Sequence, residues 1–133
     1  MQIWVVDDNE SLLEILDEVL SADHQVITYT SGKMLTKALF DLNGSSPELL
    51  LIDWNLPGES TQHVLAEFMI AAPRCQVAVM SGDLSSMSTW PPRVHRWTKP
   101  FKLKELQLWI GSIEKTLATQ SEMPTRPVDG TTG

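Results

Sequence analysis

The run Leu49-Leu50-Leu51-Ile52 is wholly apolar and stops on Asp53. A strand with one wet face alternates apolar and polar residues, so a run without alternation needs cover on both faces. That marks a central strand of a parallel sheet. Three further segments end in a similar way. Ile3-Trp4-Val5-Val6 stops at Asp7-Asp8-Asn9, Val77-Ala78-Val79-Met80 at Ser81-Gly82, and residues 94–98 at Lys99-Pro100. Val26-Ile27-Thr28-Tyr29 is a fifth segment rich in β-branched residues.

Between these segments the apolar period becomes helical. Leu12, Leu13, Leu16, Val19 and Leu20 form one stripe, with Asn9 or Ser11 as its N-cap. Met34, Leu35, Ala38, Leu39 and Leu42 form a second, preceded by Gly32 and closed by Asn43-Gly44. Val64, Leu65, Phe68, Met69 and Ala72 form a third, stopped at Pro73, and Leu103, Leu106, Ile110, Ile113 and Leu117 form the last. Strands alternating with helices predict an α/β fold: a flavodoxin-like, doubly wound, five-stranded parallel sheet of order 2-1-3-4-5. Residues 83–89 are too few and too serine-rich for a robust helix, so the fourth helix is expected to be short or missing. The expected boundaries are a folded domain over residues 1–119 and a flexible tail or linker start over 120–133.

Composition narrows the class. A chain of 133 residues with 42% hydrophobic residues can bury one core without staples. Its net charge of −7 disfavours direct nucleic-acid binding, which needs a basic face. No apolar run approaches the ~20 residues of a membrane span. The first strand meets acids at once, unlike a signal peptide. Cys75 is alone, which suits a reducing compartment and a cytoplasmic location.

In doubly wound sheets, ligands bind beyond the carboxyl ends of the strands, where the strand order switches. Strand one ends in Asp7 and Asp8, strand three in Asp53, strand four in Ser81 and strand five in Lys99. Strands one and three are neighbours in the expected order, so three carboxylates crowd one corner. Two unit charges about 4 Å apart repel by ~1 kcal/mol in water and ~4 kcal/mol at an effective dielectric of 20. Such a cluster calls for protonation or a hard divalent cation, and Mg²⁺ suits a few carboxylates with several retained waters.

In Val5-Val6-Asp7-Asp8-Asn9, Leu51-Ile52-Asp53-Trp54-Asn55-Leu56-Pro57-Gly58, Met80-Ser81-Gly82 and Thr98-Lys99-Pro100-Phe101, the sequence resembles the CheY-like receiver domains of bacterial two-component response regulators. The resemblance spans about residues 1–119. It implies a phosphoprotein that takes a phosphoryl group from a phosphohistidine on a sensor histidine kinase or histidine phosphotransfer protein. It further implies Asp53 as phosphoacceptor, Asp8 as a direct Mg²⁺ ligand, Asp7 as a ligand through water and the Asn55 backbone carbonyl as another. Ser81 corresponds to the family's hydroxyl and Lys99 to its lysine. On this reading the domain is no enzyme beyond its self-catalysed phosphoryl transfer and dephosphorylation.

Departures from the family pattern fall on the output side. Arg96 stands where the family places an aromatic switch, with Trp97 beside it, and the stretch before Lys99 includes Pro91-Pro92. The loop after Asp53 continues Pro57-Gly58-Glu59-Ser60-Thr61, so Ser60 or Thr61 is expected to cap the third helix. Trp90, Trp97, Leu108 and Trp109 accompany Arg93, Arg96, Lys99, Lys102 and Lys104. An output surface of Arg96, Trp97, Leu108 and Trp109 is therefore expected on the fifth strand and last helix, serving a homodimer or an effector. Trp4 and Phe68 read as core, and Trp54 as the rim of the site. His24, His63 and His95 lack ligand spacing, and Cys75 reads as a passive small residue.

Two rival readings differ in class. A degenerate receiver would act as an interaction module without phosphorylation. A small haloacid-dehalogenase-type phosphatase would carry its nucleophile in an Asp-x-Asp pair near the N-terminus, whereas Asp53 lies in strand three. A flavin-binding flavodoxin is disfavoured because strand one opens onto acids where a phosphate loop needs glycine and hydroxyls.

Overall fold

β1 (Gln2–Val6), β2 (Gln25–Tyr29), β3 (Leu49–Asp53), β4 (Gln76–Ser81) and β5 (His95–Thr98) form one sheet of order β2-β1-β3-β4-β5. Every pair is parallel, as the alternation of strands and helices predicts. The computed structural model describes residues 1–41, 46–83 and 94–122. Its helices are α1 (Glu10–Leu20), α2 (Gly32–Asp41), α3 (Thr61–Ala71) and α4 (Leu103–Glu122). The chain divides into two units. Met1–Pro100 holds the sheet with α1, α2 and α3, and the second, from Phe101, holds α4. The expected short fourth helix falls almost wholly on residues 84–93, outside the described residues. So do Trp90 and Arg93, the Asn43-Gly44 stop and the tail beyond Glu122.

β3 is buried along its whole length, as its unbroken apolar run requires, and Ile3 to Val6 of β1 are equally enclosed. β2, on an edge, is only partly covered. Alternation along the strands sends Trp4, Val6, Leu50, Ile52, Val77 and Val79 into one core with Leu35 of α2 and Leu65 and Phe68 of α3. Trp4 lies edge-on to Tyr29 at 5.5 Å and tilted to Phe68 at 6.4 Å, so one run of rings links α3, β1 and β2. Both Trp4 and Phe68 are core, as their sequence setting suggests. In the second unit Leu106 and Ile110 are buried while Leu103, Ile113 and Leu117 are half-buried, the stripe expected for the last helix.

Two caps place the helices next to the sheet's carboxyl edge. Asn9, not Ser11, caps α1, its Oδ1 accepting from Leu12 N at 3.2 Å. Ser60 caps α3, accepting from His63 N at 3.2 Å. Gly58 has φ +71°, a left-handed conformation costing a side-chain-bearing residue about 1 kcal/mol, and it turns the chain between β3 and α3.

Cys75 lies part-buried before β4, its Sγ 3.3 Å from the Gln76 carbonyl. Burial, with Glu48 nearby, pushes its thiol up to about 12 from an ordinary 9.0. A raised value favours the neutral thiol, so its stabilising contribution is complete below the ordinary value and lost as pH rises toward 12. Alkylation at mildly alkaline pH should therefore be much slower in the folded protein than in urea. Equal rates, followed by mass, would show an open thiolate.

Candidate functional site

Parallel strands in register end together, and that brings distant residues into one corner. Val6 pairs with Ile52 and Asp53 with Met80, while Ser81 pairs with Thr98. Asp7, Asp53, Ser81 and Lys99 therefore emerge side by side from four strands. Asp7, Asp8 and Asp53 each offer a carboxylate oxygen, all within 4.8 Å of one another. Asp7 and Ser81 are fully buried, Asp53 nearly so, and Asp8 is exposed.

Each buried group is held. Asp7 Oδ1 accepts from Asn9 N at 2.9 Å and its Oδ2 from Lys99 Nζ at 2.7 Å. Lys99 Nζ also stands 3.7 Å from Asp53 Oδ2, while Asp53 Oδ1 accepts from Asn55 N at 3.0 Å. Desolvation raises the Asp53 carboxyl above its ordinary range, and Asp7 adds to the rise. The Asn55 amide and Lys99 pull the other way without cancelling it. Among the described residues three acids face one ammonium, so the corner is short of positive charge.

The sequence-expected residues Asp7, Asp8, Asp53 and Lys99 are thus brought together, and Ser81 joins them through a bond the sequence did not suggest. Asn55 is expected to contribute only its carbonyl, yet its side-chain Nδ2 donates to Ser81 Oγ at 2.9 Å. Ser81 Oγ in turn donates to the Asp83 carbonyl at 2.9 Å and accepts from Asp83 N at 3.1 Å. Thr61 is the other residue missed. It is buried and does not cap α3; its Oγ1 donates to the Asp53 backbone carbonyl at 3.1 Å. A Thr directly after a capping Ser was the available signal, because the first residue of a helix can turn inward. Glu59 reaches across to α2, its Oε2 accepting from Gly32 N at 2.9 Å. A Cβ on Gly32 would lie 2.8 Å from Glu59 Oε1 and 2.9 Å from Val64 Cγ2, so this close approach needs glycine.

Trp54 follows Asp53 directly at the carboxyl end of β3. Strand alternation turns it away from Asp53, and it packs half-buried against the core that contains Trp4 and Phe68. Of the expected output surface, Arg96 is exposed on β5, its Nη1 3.2 Å from the Val94 carbonyl, and Trp97 is half-buried. In the second unit Leu108 is exposed and Trp109 half-buried. Among the described residues no histidine joins the carboxylate cluster.

No family model matches the sequence, and no curated protein matches it. Solved structures do. The chain is similar to the receiver domain of the hybrid histidine kinase CckA, with TM-score 0.72 and 19% identity over 85% of this chain and 98% of that one. It is similar to the response regulator TrrA from Thermotoga maritima in complex with Mg²⁺ and BeF, with TM-score 0.72 and 22% identity over 84% and 97%. The BeF3-activated receiver domain of DrrB gives TM-score 0.73 and 21% identity over 86% and 97%. The chain has the CheY-like receiver fold. No described helix is long and apolar enough to cross a membrane.

Proposed function

We propose that this chain is a receiver module of two-component signalling that accepts a phosphoryl group on Asp53 from a phosphohistidine of a sensor kinase or phosphotransfer protein. The observation that carries the reading is the corner where Asp7, Asp8 and Asp53 gather, with Lys99 paired to Asp7 and 3.7 Å from Asp53. Similarity to receiver structures holding Mg²⁺ and beryllofluoride supports it.

The donor set suits a hard divalent ion, because all three side chains offer oxygens and one ammonium leaves their charge uncompensated. Asp8 and Asp53 would hold Mg²⁺ directly, Asp7 through water, with the Asn55 carbonyl as a further ligand. When bound, the ion would supply positive charge against the phosphoryl oxygens.

The chain's own residues do the rest. A carboxylate oxygen of Asp53 attacks phosphorus; the P–N bond to the donor imidazole breaks, and its electron pair stays on a nitrogen that takes up a proton. The Asn55 amide fixes the Asp53 carboxylate and Thr61 fixes its backbone, which orients the nucleophile before reaction. Lys99 pulls the Asp53 carboxyl down against the rise that burial causes, and then pairs with the transferred phosphoryl. Ser81 Oγ–H, now given to the Asp83 carbonyl, is the donor for which a phosphoryl oxygen competes. The group adds nearly two negative charges at this corner, and β4 and β5 carry its effect outward to the surface of Arg96 and Trp97. On this reading the chain catalyses only its own phosphorylation and dephosphorylation.

Incubation with acetyl phosphate and Mg²⁺ should give an intact-mass gain of one phosphoryl, stable in acid, lost in alkali and strongly reduced by a chelator. No gain would leave the degenerate interaction module. Repeated hydrolysis of a generic phosphoester would favour the phosphatase.

A further inference from the structure

In the first unit, α2 and α3 frame a groove of about 500 Å³ on a face the acidic corner does not use. Phe40, 78% exposed, lines it, and Ile70, on the outward side of α3, is 82% exposed. They are the two most exposed large apolar side chains among the described residues. One exposed apolar residue is ordinary, but a pair on neighbouring helices makes a patch. Each is the penultimate residue of its helix. Both helices return the chain between parallel strands, so they run the same way and bring these residues to one end.

The charges are arranged with equal regularity. The α2 wall presents Lys33 and Lys37; the α3 wall presents Glu67, with Glu59 on the loop that enters α3. Lys37 and Glu67 lie at the same level, near the middle of their helices. Neither lysine forms an ion pair among the described residues.

We propose that a second copy of this chain docks on the α2–α3 face, about a two-fold axis parallel to the helices. Such an axis preserves height and exchanges sides, so α2 of one protomer lies on α3 of its partner. Lys37 then meets the partner's Glu67 and Phe40 meets the partner's Ile70, and each pair occurs twice, as an isologous interface requires. A basic wall beside an acidic wall is its own complement under this operation. The lysines and glutamates of the face balance, so the chain's net charge of −7 raises no local opposition to contact. Two helices of 10 and 11 residues are about 15 Å long, which places the patch at the small end of specific interfaces. The dimer is therefore weak and concentration-dependent.

Sedimentation of the full chain without phosphoryl donor, from about 10 µM to 1 mM, tests this. The dimer fraction should rise with concentration, and Phe40→Ser or Ile70→Ser should weaken association at least about tenfold, or 1.4 kcal/mol. Lys37→Glu and Glu67→Lys should each weaken it alone, yet associate with one another when mixed in equal amounts, because the mixed pair restores both cross-interface contacts. Circular dichroism of each variant confirms folding, which these exposed positions should leave intact. A monomer throughout the range overturns the proposal, as does self-association that the apolar and charge variants leave unchanged.

Discussion

Replacing Asp53 with asparagine is expected to abolish phosphoryl uptake and, at the same time, to make the protein harder to unfold. The first effect follows from chemistry, since an amide oxygen cannot form the acyl phosphate. The second follows from the setting. The Asp53 side chain is 7% exposed, and desolvation first, then Asp7, raise its carboxyl above the ordinary 3.8. A raised folded value means that stability from this group is present below 3.8 and lost as pH rises through the folded value. At neutral pH the parent thus carries a buried charge that the fold disfavours, while the nearly isosteric amide keeps an oxygen for the Asn55 N–H. In chelator at neutral pH the variant should gain about 1–2 kcal/mol in urea unfolding, shrinking as pH falls below the folded value of Asp53. Intact mass after acetyl phosphate reads the first effect, and urea midpoints at several pH values read the second. An undiminished mass gain moves the phosphoacceptor elsewhere, and a lowered midpoint means that Lys99 already compensates the charge.

Phe68→Ala is expected to cost about 3–5 kcal/mol, the usual range for deleting a buried aromatic ring. Phe68 is 1% exposed and closes the run of rings through Trp4 to Tyr29, so its loss opens a hole against a fully buried indole. Collapse into that hole is restricted, because Trp4 belongs to a strand paired on both sides. Domains of this size are stable by about 5–15 kcal/mol, so the variant should be close to unfolding in warm solution. Ile70→Ala, on the same helix but 82% exposed, is the matched control, and at low micromolar concentration it should stay within about 0.5 kcal/mol of the parent. Because alanine is a better helix former than either residue, comparable losses for both could not come from helix propensity and would mean that the buried ring has no special share in stability.

The order of elements, the parallel sheet and its covered central strand follow from patterns local to the chain. The run from Leu49 to Ile52 has no residue that water could face, and the helical stripes supply the cover. The acids, hydroxyl and lysine at four strand ends were legible for the same reason: once parallel strands align, their ends meet. How those ends are secured was decided by tertiary structure. Asn55 on Ser81 spans 26 positions, Glu59 on Gly32 spans 27, and Lys99 on Asp7 spans 92. Such bonds depend on register, loop path and rotamer together, and no local periodicity encodes all three. Trp54 shows the same division at a single residue. Its neighbour in sequence, Asp53, faces the acidic corner, but a strand's period of two sends adjacent side chains to opposite faces, so the indole packs against the core. Local pattern determined which residues lie at the sheet's carboxyl edge, and long-range packing decided which of them touch, because hydrogen bonds need positions fixed from both ends of the chain at once.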